Sequence, residues 1–227
     1  MEYHWHYHPE TFPPVITQPE ELTLSERLCV ACTQTGLPAG KQRSLVRAWC
    51  DLLPSLSQVT TLWLTTRVPQ VLFDAACRMP NLEGLWIKWS AVRTIANIQG
   101  LRHLRYFHLG SSSGLTSIEP LSELTRMRWL GLENINRVRD LGPVGSLRQL
   151  EGLSLEGSMW STWRVSTLQP LGSLTGLRYL SLVNLRSDDA TLEPLFALRH
   201  LEAFHAALWW ADREREELRR RNPKLAA

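Results

Sequence analysis

Apolar positions along this chain recur in one short form. Seven segments, VTTLWL, LEGLWI, LRYFHL, MRWLGL, LEGLSL, LRYLSL and LEAFHA, begin at Val59, Leu82, Leu104, Met127, Leu150, Leu177 and Leu201, in steps of 23, 22, 23, 23, 27 and 24 residues. In each segment the last two apolar residues stand two apart. In an extended backbone they leave one face, and the residues beside them leave the other. A second signal follows most segments, as in SIEPLSEL, RVRDLGPV, STLQPLGSL and ATLEPLFAL. One such unit cannot enclose its own leucines, but stacked units can, because each is a wall for the next. The pattern predicts a parallel sheet of short strands on one side and short helical turns on the other, closed by Leu121, Leu171 and Leu195.

The L-x-x-L-x-L segments resemble those of leucine-rich-repeat proteins, and the P-L-x-x-L segments resemble the short-repeat, internalin-like bacterial class. The resemblance covers residues 56–208 and implies an α/β fold: a curved solenoid with its parallel sheet on the concave side. That family places an asparagine or cysteine three residues after L-x-L, where its amide satisfies backbone groups in a stacked ladder. Here the position holds Ser90, Ser112, Ile135, Ser158 and Leu185, while Asn134 and Asn184 fall one place early. The ladder is expected to be incomplete or shifted by one residue.

Solenoid ends expose apolar core and need caps. Residues 1–55 are expected to form the N-terminal cap, with a β-like stretch at ELTL, a helix around SERLCVACT and a second helix in KQRSLVRAWCDLL that stops before Pro54. Residues 209–227 contain ADREREELRRRNPKL, a charged helix with i,i+4 pairs such as Glu216 with Arg220. The three parts make one continuous domain. Cys29 and Cys32 would then share a buried helical face, as reduced thiols. At the start, Tyr3, Trp5 and Tyr7 alternate with His4, His6 and His8. On an edge strand the rings would cover apolar surface and the histidines would face water. Three imidazoles at period two also suit a metal ion, but no nearby carboxylate is placed as a fourth ligand, so no metal site is expected.

The strand register also identifies the outward face. Its first half is rich in aromatics: Trp63, Trp86, Tyr106 and Trp129, with Trp89 just beyond its strand, and Tyr179 further on. Lys88, His108, Glu133 and Glu156 accompany them. Clustered aromatic rings with a charged rim are what a protein-binding surface presents. Rings that merely pack across adjacent strands are the plainer reading. Gly84, Gly131 and Gly152 favour the interface, because they leave gaps beside large rings. The 27-residue step adds a second lead, EGSMWSTWRVS, with Trp160 and Trp163 in a loop that either reaches a partner or folds back as a lid.

Composition changes this picture little. A net charge of +3 is too mild to demand a nucleic acid or an anionic membrane as partner. No uncharged apolar run is long enough to span a bilayer, and the first residues carry no secretory pattern, so a cytoplasmic protein is expected. Catalytic motifs such as G-x-S-x-G, a Gly-rich phosphate loop or H-E-x-x-H are missing, and neither an enzyme nor a cofactor is expected. The reading is a non-catalytic module that captures another protein, with an immunity or antitoxin role against a toxin or effector as an analogy-based setting. A nucleic-acid- or carbohydrate-binding solenoid and a homodimeric scaffold are the alternatives.

Overall fold

The computed structural model describes residues 12–206 and 209–225. Nine strands form one parallel sheet in the order β1 (Val15–Ile16), β2 (Arg27–Val30), β3 (Thr61–Val68), β4 (Gly84–Ser90), β5 (Tyr106–Leu109), β6 (Trp129–Glu133), β7 (Gly152–Glu156), β9 (Tyr179–Leu182) and β11 (Ala203–Ala206). The two missing numbers, β8 (Trp163–Val165) and β10 (Leu185–Ser187), pair in parallel as a separate small sheet.

Register shows why these residues stack. Leu28, Leu62, Leu85, Phe107, Leu130, Leu153, Leu180 and Phe204 are direct neighbours across the sheet. Two positions on, Val30, Leu64, Ile87, Leu109, Leu132 and Leu155 make a second row. Both rows point into the solenoid and, apart from half-buried Phe204, are buried. The opposite wall is made of 3-10 turns such as Glu119–Glu123, Gln169–Ser173 and Glu193–Ala197, whose Leu121, Leu171 and Leu195 meet the strand leucines in one core. At the start of each strand, alternating charges pair across neighbours: Arg105 with Glu83, Arg128 with Glu151 and Arg178 with Glu202.

The polar ladder is shifted by one residue. Ser111, Asn134 and Asn184 all adopt positive φ, at 38°, 51° and 53°. Asn134 Nδ2 donates to Ser111 Oγ at 2.9 Å, and Asn184 Nδ2 donates to the Ser158 carbonyl at 3.1 Å. Asparagine tolerates this left-handed backbone because its short amide bonds locally, so the ladder moves to wherever the chain must turn.

Two cap expectations are corrected. The stretch SERLCVACT is not a helix: Arg27–Val30 is β2, in register with β3, because Leu28 and Val30 continue the two inward rows. ELTL is not a strand, and the edge is supplied instead by β1. The second helix is present as α1 (Ala39–Leu52), burying Leu45 and Trp49 beside α2 (Gln70–Ala76), with Trp49 Nε1 donating to the Thr17 carbonyl at 2.8 Å. After the short α3 (Gly142–Gly145), the chain ends on α4 (Asp212–Arg221), which seats Leu218 on the last repeat. There Asn222 accepts from Leu201 N and donates to the Leu198 carbonyl, both at 3.0 Å, so one side chain ties α4 to the open end of the solenoid. On α4, Glu217 rather than Glu216 receives Arg220, in a two-pronged pair at 2.7 Å, and Arg221 as well. Those arginines hold the Glu217 carboxyl well below its ordinary value, at about 2.

The inward register makes a direct prediction. Leu130→Asp would place an unpaired carboxylate in a fully buried row, at a cost of ~3–5 kcal/mol against a total stability of about 5–15. Circular dichroism should show loss of the cooperative melt at room temperature or a Tm lowered by well over 10 °C.

Candidate binding surface

The face of the sheet away from the leucines carries two rows of its own. In the first, Trp63, Trp86, His108, Gly131, Ser154, Ser181 and His205 are successive neighbours. In the second stand Thr61, Gly84, Tyr106, Trp129, Gly152, Tyr179 and Ala203. Sequence periodicity therefore brings together Trp63, Trp86, Tyr106, His108, Trp129 and Tyr179 as expected.

The glycines do a different job from the one expected of them. A Cβ on Gly152 would lie 2.0 Å from Cε3 of Trp129, and one on Gly131 would lie 2.5 Å from Nδ1 of His108. Each glycine is therefore the floor under a ring leaning across from the preceding strand, and not an open pocket. Trp129 leans over Gly152 until its ring meets Tyr179 at 5.1 Å, and Tyr179 meets His205 at 5.6 Å. Trp86 and His108 stack at 5.6 Å, 15° from parallel. Phe12, just ahead of β1, touches both Trp63 and Trp86, at 5.1 and 5.2 Å.

Burial follows. Trp63, His108, Trp129 and Tyr179 are buried, while Trp86 and Tyr106 are half-buried. Burial alone holds the His108 imidazole down at about 3, so it is neutral near pH 7. Burial, with the charge of Glu156 adding to it, pushes the Tyr179 phenol up to about 12. Glu133 and Glu156 are paired across β6 and β7. Glu156 Oε1 accepts from Ser154 Oγ at 2.6 Å and from Ser181 Oγ at 2.8 Å, whereas burial and then the Glu156 charge push Glu133 up.

The insertion divides its two tryptophans. Trp163 is fully buried in β8, and its indole N–H donates to the Val138 carbonyl at 2.6 Å. It is core, not a contact residue: the extra residues build the second sheet, and the ring fills the space beneath it. Trp160 is 90% exposed and Met159 82%. Their turn is braced, since Ser158 Oγ accepts from Ser161 N at 2.9 Å and Asn136 Nδ2 donates to Ser161 Oγ at 2.8 Å. All strands are parallel, so the ends of β4, β7 and β9 share one edge of the solenoid. Lys88 and the partly exposed Trp89 lie there at the end of β4, with Met159, Trp160 and Val183 further along. Sequence reasoning puts Met159 in the insertion and Val183 at an outward strand position but names neither as a contact residue, because a single apolar residue carries no period.

Other candidate chemistry is sparse. Cys29, Cys32, Cys50 and Cys77 are free thiols. Burial pushes Cys29 up to about 11 and Cys32 up to about 12, and raises Cys50 and Cys77 as well, so none is set up as a thiolate nucleophile. Among the described residues no group of three or more His, Cys, Asp and Glu is arranged to hold a metal ion. His4, His6 and His8, with Tyr3, Trp5 and Tyr7, lie outside those residues. No helix among the described residues is long and apolar enough to cross a membrane.

The architecture is that of a leucine-rich-repeat protein. No protein-family model matches the chain, and no curated protein does. Among solved structures it is similar to an internalin (inlF) from Listeria monocytogenes, with a TM-score of 0.56 and 23% identity. That match covers 78% of this chain and 60% of the other. Internalin C2 (inlC2) from the same organism aligns with a TM-score of 0.53 and 19% identity over 70% of each chain. The chain thus spans less than two thirds of the first of these, and what they share with it is the solenoid fold.

Two predictions follow from the leaning rings. Gly152→Ala should cost about 1–3 kcal/mol by driving a methyl into the Trp129 ring. The loss should shrink when the same change is made in a Trp129→Ala background, as a double-mutant cycle of melting curves would show. For His108, the folded value lies below the ordinary 6.5 of the unfolded chain. Its contribution to stability is present above pH 6.5 and is lost as pH falls from there towards 3. His108→Gln should therefore lose less Tm than the parent between pH 7.5 and pH 4.5.

Proposed function

We propose that this protein is a non-catalytic binding module that captures another protein. The observation that carries the reading is the braced tip at Met159 and Trp160, where two large apolar side chains stand almost fully in solvent. Exposed single apolar residues are ordinary, but a Met–Trp pair held rigid near Val183, with Trp89 three strands away on the same edge, offers several apolar anchors. Aromatic anchors lose little conformational entropy on docking, and the turn's hydrogen bonds have already fixed the backbone. Trp86, Tyr106 and Lys88 extend the contact inward, and Glu133 and Glu156 supply negative charge for a basic group of the partner. The buried rings Trp63, His108, Trp129 and Tyr179 shape this surface from beneath. A protein of this kind acts by covering its target, which fits an immunity or antitoxin role in the cytoplasm, with a toxin or effector as the partner. The leucine-rich-repeat fold, a scaffold with long exposed edges, supports a binding role over catalysis.

The test begins with capture of the partner from the native cell extract and its titration against purified variants. Trp160→Ala should weaken binding at least tenfold, about 1.4 kcal/mol, with an unchanged melting curve. Trp89→Ala should weaken it in the same direction. Normal binding by both variants, with loss of binding by a convex change such as Glu123→Arg, would place the contact on the other side of the solenoid.

A further inference from the structure

Between α1 and the start of α2 the surface opens into a groove of about 390 Å³. Its floor is apolar, made by Val46 and Cys50 of α1 with Pro69 and Val71 at the entry to α2. The core does not need these side chains. Burying Leu45 and Trp49 already seats α1, and Leu72 and Phe73 seat α2. Val46 and Cys50, four apart, therefore make a second strip beside the buried one and stay half-buried, while Val71 is left 59% exposed.

The charge of the groove has one sign. Arg43 and Arg47 stand in its wall, and no carboxylate does. Neither arginine has an ion-pair partner among the described residues. The nearby acids are placed elsewhere: Asp74 accepts from Gln70 Nε2 at 3.0 Å, and Asp51 lies one turn beyond Arg47, outside the lining. Gln42, the remaining polar group of the wall, is bonded to the Cys32 carbonyl and to Thr35.

We propose that this groove takes an amphipathic helix of a protein partner, whose apolar stripe rests on Val46, Cys50 and Val71 and whose carboxylates at i and i+4 meet Arg43 and Arg47. Spacing carries the choice. The two arginines are four residues apart on α1, about 6 Å along its axis, and acidic residues at i and i+4 of a helix lying alongside repeat at the same distance. Each guanidinium fork matches a carboxylate in two parallel hydrogen bonds. A nucleic acid would leave the apolar floor unused, and a basic helix would be repelled. The groove flanks the N-terminal end of the solenoid, whereas Met159 and Trp160 follow β7, so it is a second docking surface and stands apart from the reading of that edge.

Cys50 supplies the readout. It is half-buried, while Cys29, Cys32 and Cys77 are buried, so a maleimide should modify Cys50 first. The full chain is treated with the reagent alone, with an excess of a synthetic helical peptide that bears leucines on one stripe and glutamates at i and i+4 beside it, and with the same peptide carrying lysines for glutamates. The acidic peptide should slow modification of Cys50 about fivefold or more, less so at high salt, and the basic peptide should leave the rate unchanged. Arg43→Glu combined with Arg47→Glu changes two exposed side chains, should melt like the parent, and should reverse the preference between the peptides. Equal slowing by both peptides, or slowing by neither, would overturn the proposal. Protection that rises with protein concentration in the absence of peptide would overturn it as well, because the occupant would then be a second copy of this chain.

Discussion

Everything in this molecule depends on keeping identical inward residues in register across parallel strands. Leucine above leucine, at the strand spacing of a sheet, allows each repeat to use its neighbours as walls, and no repeat is stable without them. The row that contains Leu62 runs in register from β2 to β11, and the row that contains Leu64 from β2 to β7. Because the side-chain period of a strand is two, the same register that buries the leucines also fixes which residues face inward from the concave side. The outward face of the sheet is thus a by-product of core packing, its residues set by the same period that sets the leucines.

That surface is denser than its composition implies. On a flat solvated sheet, Trp129 and His108 would stand upright. Here each lies over a glycine on the next strand, which shortens the distance to the following ring and seals the face. Sealing has an electrostatic consequence: His108 is kept neutral, and Glu133 is raised beside Glu156, which two serine hydroxyls bond. The inner face therefore resembles a second, smaller core laid against the outside of the first, and the exposed apolar side chains stand at the edge, at Trp89, Met159 and Trp160.

Irregularity is where the array departs from pure repetition, and each departure has a local cause. The longer repeat between Leu150 and Leu177 makes β8 and β10 pair, buries Trp163 and pushes Met159 and Trp160 outward on a serine-braced turn. The first turn of the solenoid is longer still, since α1 is added ahead of a 3-10 turn at Leu53–Ser55 between β2 and β3 and covers the end of the core with Leu45 and Trp49. At the far end α4 does the same with Leu218, tied down by Asn222.

From the amino-acid sequence alone, the repeat, the inward rows and the list of outward residues could be read, because a period-two strand pattern repeated seven times admits one stacking. The shift of the asparagine ladder was legible as well, from Asn134 and Asn184 falling one place early. Tertiary structure alone decided which outward rings are exposed. Trp160 and Trp163 are three residues apart and alike in sequence, yet one is in solvent and the other beneath a small sheet, because pairing of β8 with the distant β10 chooses between them. The same holds at the N-side, where SERLCVACT has a helical look but joins the sheet, since completing the two leucine rows outweighs local preference. Glycines 131 and 152 read as gaps in one dimension and became seats for rings in three, for what fills the space above a glycine is set by the strand beside it.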